Sequence, residues 1–291
     1  MNKEELRALV AQMLQQQLPQ ADVEEKFDTI VDSNEQVDDI TEINLRKQYL
    51  VENPMDGDRF LALKGKTPAR LGTGRAGTRY RTVTMLRFRA DHALAQDSVF
   101  SDVPESFWRK NDLSCFPTAC KDKDEYLTRP DLGRRFPPQS HDAIRQLCGQ
   151  NPRLLLVLGD GLSSNAIVTN GMDCAKAICQ GLRNLGIAEP PMLFVKYCRV
   201  GASDALGEIT GCDCVCMLVG ERPGLVTSES MSCYITYHPR PGIPESQRTV
   251  ISNIHRQGTP AVEAGAHIAQ LLQQILTQKA SGISLRREGS A

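Results

Sequence analysis

The chain lacks any net charge of consequence. Its 34 Lys and Arg stand against 35 Asp and Glu over 291 residues, so overall charge argues for neither a nucleic-acid nor a membrane-surface partner. No apolar run approaches the roughly 18–20 residues that a membrane span needs. The first residues are charged and carry no apolar signal-peptide core, which reads against secretion. Ten cysteines are present, yet none forms a Cys-x-x-Cys pair and no Cys/His set has zinc-finger spacing. Cys212, Cys214 and Cys216 alternate, which predicts one shared strand face and reduced, buried thiols.

Familiar catalytic signatures are missing as well. There is no P-loop, no H-E-x-x-H and no G-x-S-x-G. The five histidines (His92, His141, His238, His255, His267) are scattered and read as satisfied side chains rather than ligands. Asp160 and Ser163 have no histidine near them in sequence, so a self-contained hydrolase finds no support. Gly72, Gly74 and Gly77 match G-x-G-x-x-G, but no strand signal precedes them and no acidic ribose partner is evident.

What is present is concentrated between Leu154 and Gly242. Three apolar runs there end in polar turns: Gly159-Asp160-Gly161-Leu162-Ser163, Arg199-Val200-Gly201, and Gly220-Glu221-Arg222-Pro223-Gly224-Leu225. Buried strands that feed glycine-bearing turns at their carboxyl ends build the ligand crevice of an open α/β sheet. The expected lining is Asp160, Gly161, Ser163, Val200, Glu221, Arg222 and Ser252-Asn253. That inventory suits holding a large, amide-rich ligand better than breaking a bond. Glu221 is expected as a fixed acceptor at the sheet edge, or alternatively as a cap on the next turn.

The rest of the chain reads as follows. Residues 4–18 place Leu6, Leu9, Val10, Met13, Leu14 and Leu18 along one helical face. Residues 19–42 carry nine acidic side chains and one Lys, the composition of a flexible linker. Such a tethered helix is either a docking element or a helix packed on its parent domain. Residues 43–150 read as a helical and loop-rich region. Within them, 59–89 hold nine Lys or Arg and no acid, as a basic loop meeting an acidic or phosphate-bearing partner or as a solvated face. A helix is predicted near 82–96, and Trp108 on a short helix after Pro104. The tract 126–135 reads as a shaped loop. Beyond Asn151, strands are predicted near 153–158, 192–198, 214–219 and 232–237, and helices near 163–185, 203–210 and 260–279. Gly186 and Pro260 sit as helix-ending and helix-starting residues. This order predicts a mostly parallel sheet with helices on both faces over 151–291.

At these residues the chain resembles the small subunit of ethanolamine ammonia-lyase over roughly residues 51–286. The tracts that carry the resemblance are V-E-N-P (51–54), T-G-R-A-G (73–77), Y-L-T-R-P-D-L-G-R-R (126–135) and D-G-L-S (160–163). They continue with G-E-R-P-G-L (220–225), S-E-S-M-S-C-Y (228–234), I-S-N-I-H-R-Q-G-T-P (251–260) and K-A-S-G-I (279–283). The resemblance implies a two-subunit, adenosylcobalamin-dependent lyase that converts ethanolamine to acetaldehyde and ammonia. It implies a Rossmann-like carboxyl-terminal domain that closes over cobalamin, a cofactor shared with a large TIM-barrel subunit that holds the reaction centre. It further implies cobalamin contacts at Val200, Glu221 and Val250; relatives can carry cysteine at the last position, so a side-chain sulfur contact does not carry over, while a backbone contact survives the change. No histidine here has Asp two residues before it, so the D-x-H-x-x-G pattern that supplies a cobalt ligand is absent. Finally, it implies residence in a bacterial microcompartment, with residues 4–18 as a shell-docking helix. A cobalamin-binding scaffold without catalytic duty and a free-standing Rossmann-like enzyme are the other two readings.

Overall fold

The computed structural model describes residues 39–285. The helix read at 4–18 and nearly all of the linker at 19–42 lie outside the described residues. The sheet and its helices belong to the compact unit Asn44–Ala291.

Helix α1 (Gly57–Lys64) starts on an Asp56 side chain that accepts from Arg59 N at 3.0 Å, an N-cap that satisfies an otherwise orphan donor. A small hairpin follows, β1 (Arg75–Ala76) and β2 (Arg79–Tyr80). Gly72, Gly74 and Gly77 all have positive φ around it, so these glycines shape turns and open no helix. Helix α2 (Thr82–Phe100) and the short helices α3 (Glu105–Lys110) and α4 (Lys123–Thr128) come next. Trp108 on α3 stacks on Phe194, ring centroids 4.9 Å apart.

The main sheet has six strands: β3 (Ser114–Pro117), β4 (Leu155–Gly159), β5 (Met192–Lys196), β6 (Cys214–Gly220), β7 (Met231–Tyr237) and β8 (Arg248–Ile254). Their spatial order is β3-β5-β4-β6-β7-β8. The pairs β3–β5, β5–β4 and β4–β6 are parallel, while β6–β7 and β7–β8 are antiparallel. Every residue of β4 and β6 is buried, as expected of strands covered on both faces.

Alternate residues of these strands face two separate cores. One face presents Leu156, Leu158, Phe194, Cys216 and Leu218 to α7 (Met172–Asn184) and α9 (Ala261–Gln278). Helix α7 follows the short helix α6 (Ser164–Ala166) through a π-helical turn, Ile167–Gly171. On α9, Ala264, Ile268, Leu272 and Ile275 are fully buried at helical spacing. A Cβ on Gly265 would lie 2.6 Å from Ala177 Cβ, so small residues let α7 and α9 approach closely. The other face presents Leu155, Val157, Val195, Val215 and Met217 to α5 (His141–Cys148) and α8 (Ala202–Thr210). Each fully buried Leu or Ile contributes roughly 1.5–3 kcal/mol.

Four sequence expectations change. The region 102–150 is not purely helical and irregular, because Ser114–Pro117 pairs in parallel with β5 and extends the sheet. Two of its four residues are exposed or proline, so it carries no apolar alternation. Residues 248–254 also form a strand, hidden in sequence by Arg248, Ser252 and Asn253 on a sheet edge. Cys212 does not share a face with Cys214 and Cys216, since it precedes β6 and packs into the α5/α8 core. The fourth concerns the basic stretch 59–89, part of which is internal. Arg70 and Arg87 both pair with Asp91, at 2.6 and 3.0 Å. The buried Lys64 ammonium donates to the carbonyls of Gln48 and Leu71. All ten cysteines are free and only Cys115 is short of full burial. Burial pushes the Cys115, Cys148 and Cys212 thiols up to about 11, which keeps them protonated and inert.

Candidate functional site

The chain order reverses at β4: the next strand, β5, lies on one side and β6 on the other. The turns that leave β4 and β5 therefore lead to helices on opposite faces of the sheet, α7 and α8, and diverge at the carboxyl edge, which is where open α/β sheets leave room for a ligand. A cleft of ≈ 320 Å³ occupies this place. Gly161 and Leu162 line it from the first turn, Arg199 and Val200 from the second, and Glu221 and Arg222 from the third, with Tyr126 and Tyr234 closing its sides.

The first and third turns touch through backbone. Leu162 N donates to Gly220 O at 3.1 Å. A Cβ on Gly220 would strike the Ser163 carbonyl, and one on Gly161 would meet Gly220 O and Val219 Cγ2. These glycines are present because two backbone segments pass each other with no room for a side chain. Asp160 and Ser163 brace the turn from beneath and are fully buried, so neither lines the cleft as the sequence suggested. Asp160 accepts from Val103 N at 3.2 Å and Ser164 Oγ at 2.9 Å. Burial pushes its carboxyl above the usual range. Ser163 accepts from Ala166 N at 3.2 Å as the N-cap of α6, and its hydroxyl donates to the Ser228 carbonyl.

The second turn is shaped by tyrosines. Tyr197, just beyond β5, has φ 58°, a left-handed conformation uncommon outside glycine. Its hydroxyl donates to Asp102 Oδ2 at 3.2 Å. Tyr126 is fully buried and donates to Cys198 O at 3.0 Å. Arg199 returns a bond from Nη2 to Tyr126 O at 2.9 Å and lies over the Tyr126 ring at 4.3 Å. The tract read as a shaped loop at 126–135 in fact begins on helix α4, which carries Tyr126, and includes a 3-10 turn at Leu132–Arg134; Tyr126 fixes the wall that presents Val200.

Glu221 follows β6 directly. Its N–H donates to Ser230 O at 3.0 Å, Ser232 Oγ donates to Oε1, and Ser230 Oγ approaches Oε2 at 3.5 Å. The carboxylate caps no helix. It is an acceptor held by the neighbouring strand at the lip of the cleft.

Val250 lies opposite Tyr234 across the β7–β8 ladder and is 43% exposed. Directly opposed residues share a face, so Val250 stands beside a residue that lines the cleft. Ser252 and Asn253, expected in the lining, lie further along β8 and do not take part in it. Asn253 instead accepts from the His255 ring at 2.7 Å. Tyr126, Arg199 and Tyr234 are lining residues that the sequence did not single out as such. The turn-rich tract 126–135 was the signal for the first. Arg199 stood beside Val200, and Tyr234 had no polar turn to mark it.

The fold and the cleft define a class: an α/β protein with a ligand cleft at the carboxyl edge of its sheet and one pre-bonded carboxylate at its lip. Among the described residues, no group of three or more His, Cys, Asp or Glu could hold a metal ion. Sequence comparison narrows the class. The family described as ethanolamine ammonia-lyase light chain (EutC) matches residues 57–286. The chain is 57% identical to the ethanolamine ammonia-lyase small subunit of Clostridioides difficile (strain 630), over 98% of this chain and 100% of the relative. It is 56% identical to that of Clostridium perfringens over 98% and 100%. For the Listeria monocytogenes serotype 4a protein the identity is 50%, again over 98% and 100%. The chain belongs to the ethanolamine ammonia-lyase small-subunit family and forms part of a lyase; the name implies a second, larger subunit.

Proposed function

We propose that this small subunit, with a large-subunit partner, holds adenosylcobalamin for the deamination of ethanolamine to acetaldehyde and ammonia. In this reading the Rossmann-like sheet serves as one side of a cofactor clamp. The observation that carries it is the position of Glu221 at the lip of a cleft whose volume, ≈ 320 Å³, lies at the small end for an enclosed ligand. A corrinoid is far larger than such a cleft and would lie across it, leaving its other side for a partner. Its peripheral amides need acceptors and donors at the rim, and Glu221 and the backbone of the Val200 turn offer both. Val250 adds an exposed edge position beside Tyr234. The bound cofactor would supply a carbon radical through cobalt–carbon homolysis; this chain's residues orient it and exclude water. No residue of this chain is assigned a catalytic role.

The reading extends to address. The protein would reside in a bacterial microcompartment within the cytoplasm, with residues 4–18 docking on a shell partner and 19–42 as tether. The segment 43–150 would meet the large subunit.

Reconstitution tests the function. The chain is expressed with a candidate large subunit, and cobalamin-dependent ammonia release from ethanolamine is measured. Activity should appear only when both chains are mixed. Activity from the large subunit alone would remove this chain from the reaction.

A further inference from the structure

A second cleft, of ≈ 430 Å³, lies beside the first between α2 and the turn at Arg222-Pro223, with His92, Gln96, Val99 and Phe100 along one wall. The two clefts share three residues: Leu162, Arg199 and Arg222. Most buried or half-buried arginines of this chain meet a carboxylate. Arg70 and Arg87 meet Asp91, and Arg248 meets Asp204 and Glu245. Arg199 meets none among the described residues. Its guanidinium is pinned by the Tyr126 ring and by the Tyr126 carbonyl, and its Nε is buried without a hydrogen-bond partner. Glu221, the one carboxylate of the first cleft, is engaged by Ser232 and Ser230 and forms no ion pair with Arg199 or Arg222.

A cation fixed in place and left uncompensated is costly unless a partner of opposite charge arrives. Two guanidinium groups on the wall common to two clefts suit a tetrahedral oxyanion, which the planar fork recognises better than an ammonium does. We infer that Arg199, aided by Arg222, receives a phosphodiester of a ligand that spans both clefts. The inference rests on the cobalamin reading above. Cobalamin's peripheral side chains are neutral amides, and its nucleotide loop carries one phosphodiester anion, the only group on it that answers this charge. The nucleotide loop would then thread past Leu162 from the first cleft into the second.

The test uses the assembled two-chain complex, purified by gel filtration. It is titrated spectroscopically with hydroxocobalamin and with cobinamide, which keeps the corrin ring but lacks the nucleotide loop and its phosphate. Arg199→Met should weaken hydroxocobalamin roughly ten- to hundredfold and leave cobinamide affinity unchanged. Arg222→Gln should show the same selective pattern with a smaller loss, and it carries the test if Arg199→Met does not assemble. Equal weakening of both corrinoids, or no weakening of either, overturns the phosphate assignment. Weaker subunit assembly with unchanged corrinoid affinity also overturns it, because the arginine would then meet a carboxylate of the large subunit. If the wild-type complex binds neither corrinoid, the cobalamin reading itself falls.

Discussion

Ser232, fully buried on β7, donates its hydroxyl to Oε1 of Glu221, the first residue beyond β6. The antiparallel neighbour of β6 thus holds the carboxylate that stands at the cleft's lip. One lone-pair site on each carboxylate oxygen of Glu221 is used internally, by Ser232 and Ser230, and the remaining acceptor capacity is oriented before any ligand arrives. Preorganisation of this kind reduces the ordering cost of binding. Ser232→Ala should therefore weaken cobalamin binding by the assembled complex several-fold while Glu221 itself is still present. Isothermal titration with hydroxocobalamin checks this, and an unchanged affinity would mean that the serine only fills space.

The crossing of the turns after β4 and β6 admits no side chain at Gly220. Gly220→Ala should cost about 1–3 kcal/mol, the usual range for forced overpacking. Gly224 has open space where its Cβ would go, so Gly224→Ala should stay within about 0.5 kcal/mol of wild type. Urea unfolding of the two variants gives the comparison. Equal stability would show that the turns can separate freely.

Arg248 anchors β8 to α8. It is nearly fully buried and bonds Asp204 through both oxygens, at 2.9 and 2.8 Å, with Ser203 and Thr236 adding hydroxyl acceptors at 3.1 and 3.0 Å. Arg248→Met should cost about 3–5 kcal/mol, because it strands the Asp204 charge. Adding Asp204→Asn should recover part of that loss. Double-mutant analysis by chemical denaturation reads the coupling, and simple additivity would contradict the account.

Asp102 lies between Lys196 at 3.0 Å and Lys123 at 3.2 Å. Burial alone would raise its carboxyl, but the hydrogen bond from Lys196 and the charges of both lysines outweigh it and hold the carboxyl below its usual range. A lowered folded-state value means that the unfolded chain binds the proton more readily. The stabilisation is then complete above the unfolded value of about 3.9 and is lost as pH falls through the lowered folded value. The stability gap between wild type and Asp102→Asn should be largest near neutral pH and should close below about pH 4. Denaturation curves across that range decide the point; a gap independent of pH would place the effect in packing rather than charge.

Residues 4–18 lie outside the described residues, and their shell-docking role is a proposal from sequence. Isolated helices of this length are marginal in water, so ordering is expected on a partner. Deleting residues 1–20 should leave cobalamin binding and lyase activity near wild type and abolish encapsulation, and should raise solubility. Fractionation of microcompartments tests it. Normal encapsulation would move the address to another part of the enzyme, and lost activity would make the helix part of the core.

The parallel core was legible because its strands are buried on both faces, so L-L-V-L-G and C-V-C-M-L-V-G read as unbroken apolar runs. The turns that follow them were legible because glycine and charge interrupt those runs abruptly. The edges were not. β3 has an exposed serine and a proline, and β8 is buried only at its ends, Arg248 and Ile254, the first a buried arginine whose partners lie 44 residues away and three residues away. No local pattern distinguishes that arginine from a surface one. Asp160 and Ser163 were placed in the cleft because polar residues in a strand-end turn usually face it. Here they satisfy backbone groups of the segments packed around the turn, Val103 N, Ala166 N and the Ser228 carbonyl, and Gly161 and Leu162 between them do the lining. Arg199 gained its place from Tyr126, 73 residues earlier in the chain.

The most direct measurement is the affinity of the assembled complex for hydroxocobalamin when Glu221 is replaced by alanine. The cleft account predicts a loss of about 1–3 kcal/mol in binding, with unfolding midpoint and subunit assembly unchanged. Unaltered cobalamin affinity in a correctly assembled Glu221→Ala complex would contradict it and place the cofactor elsewhere.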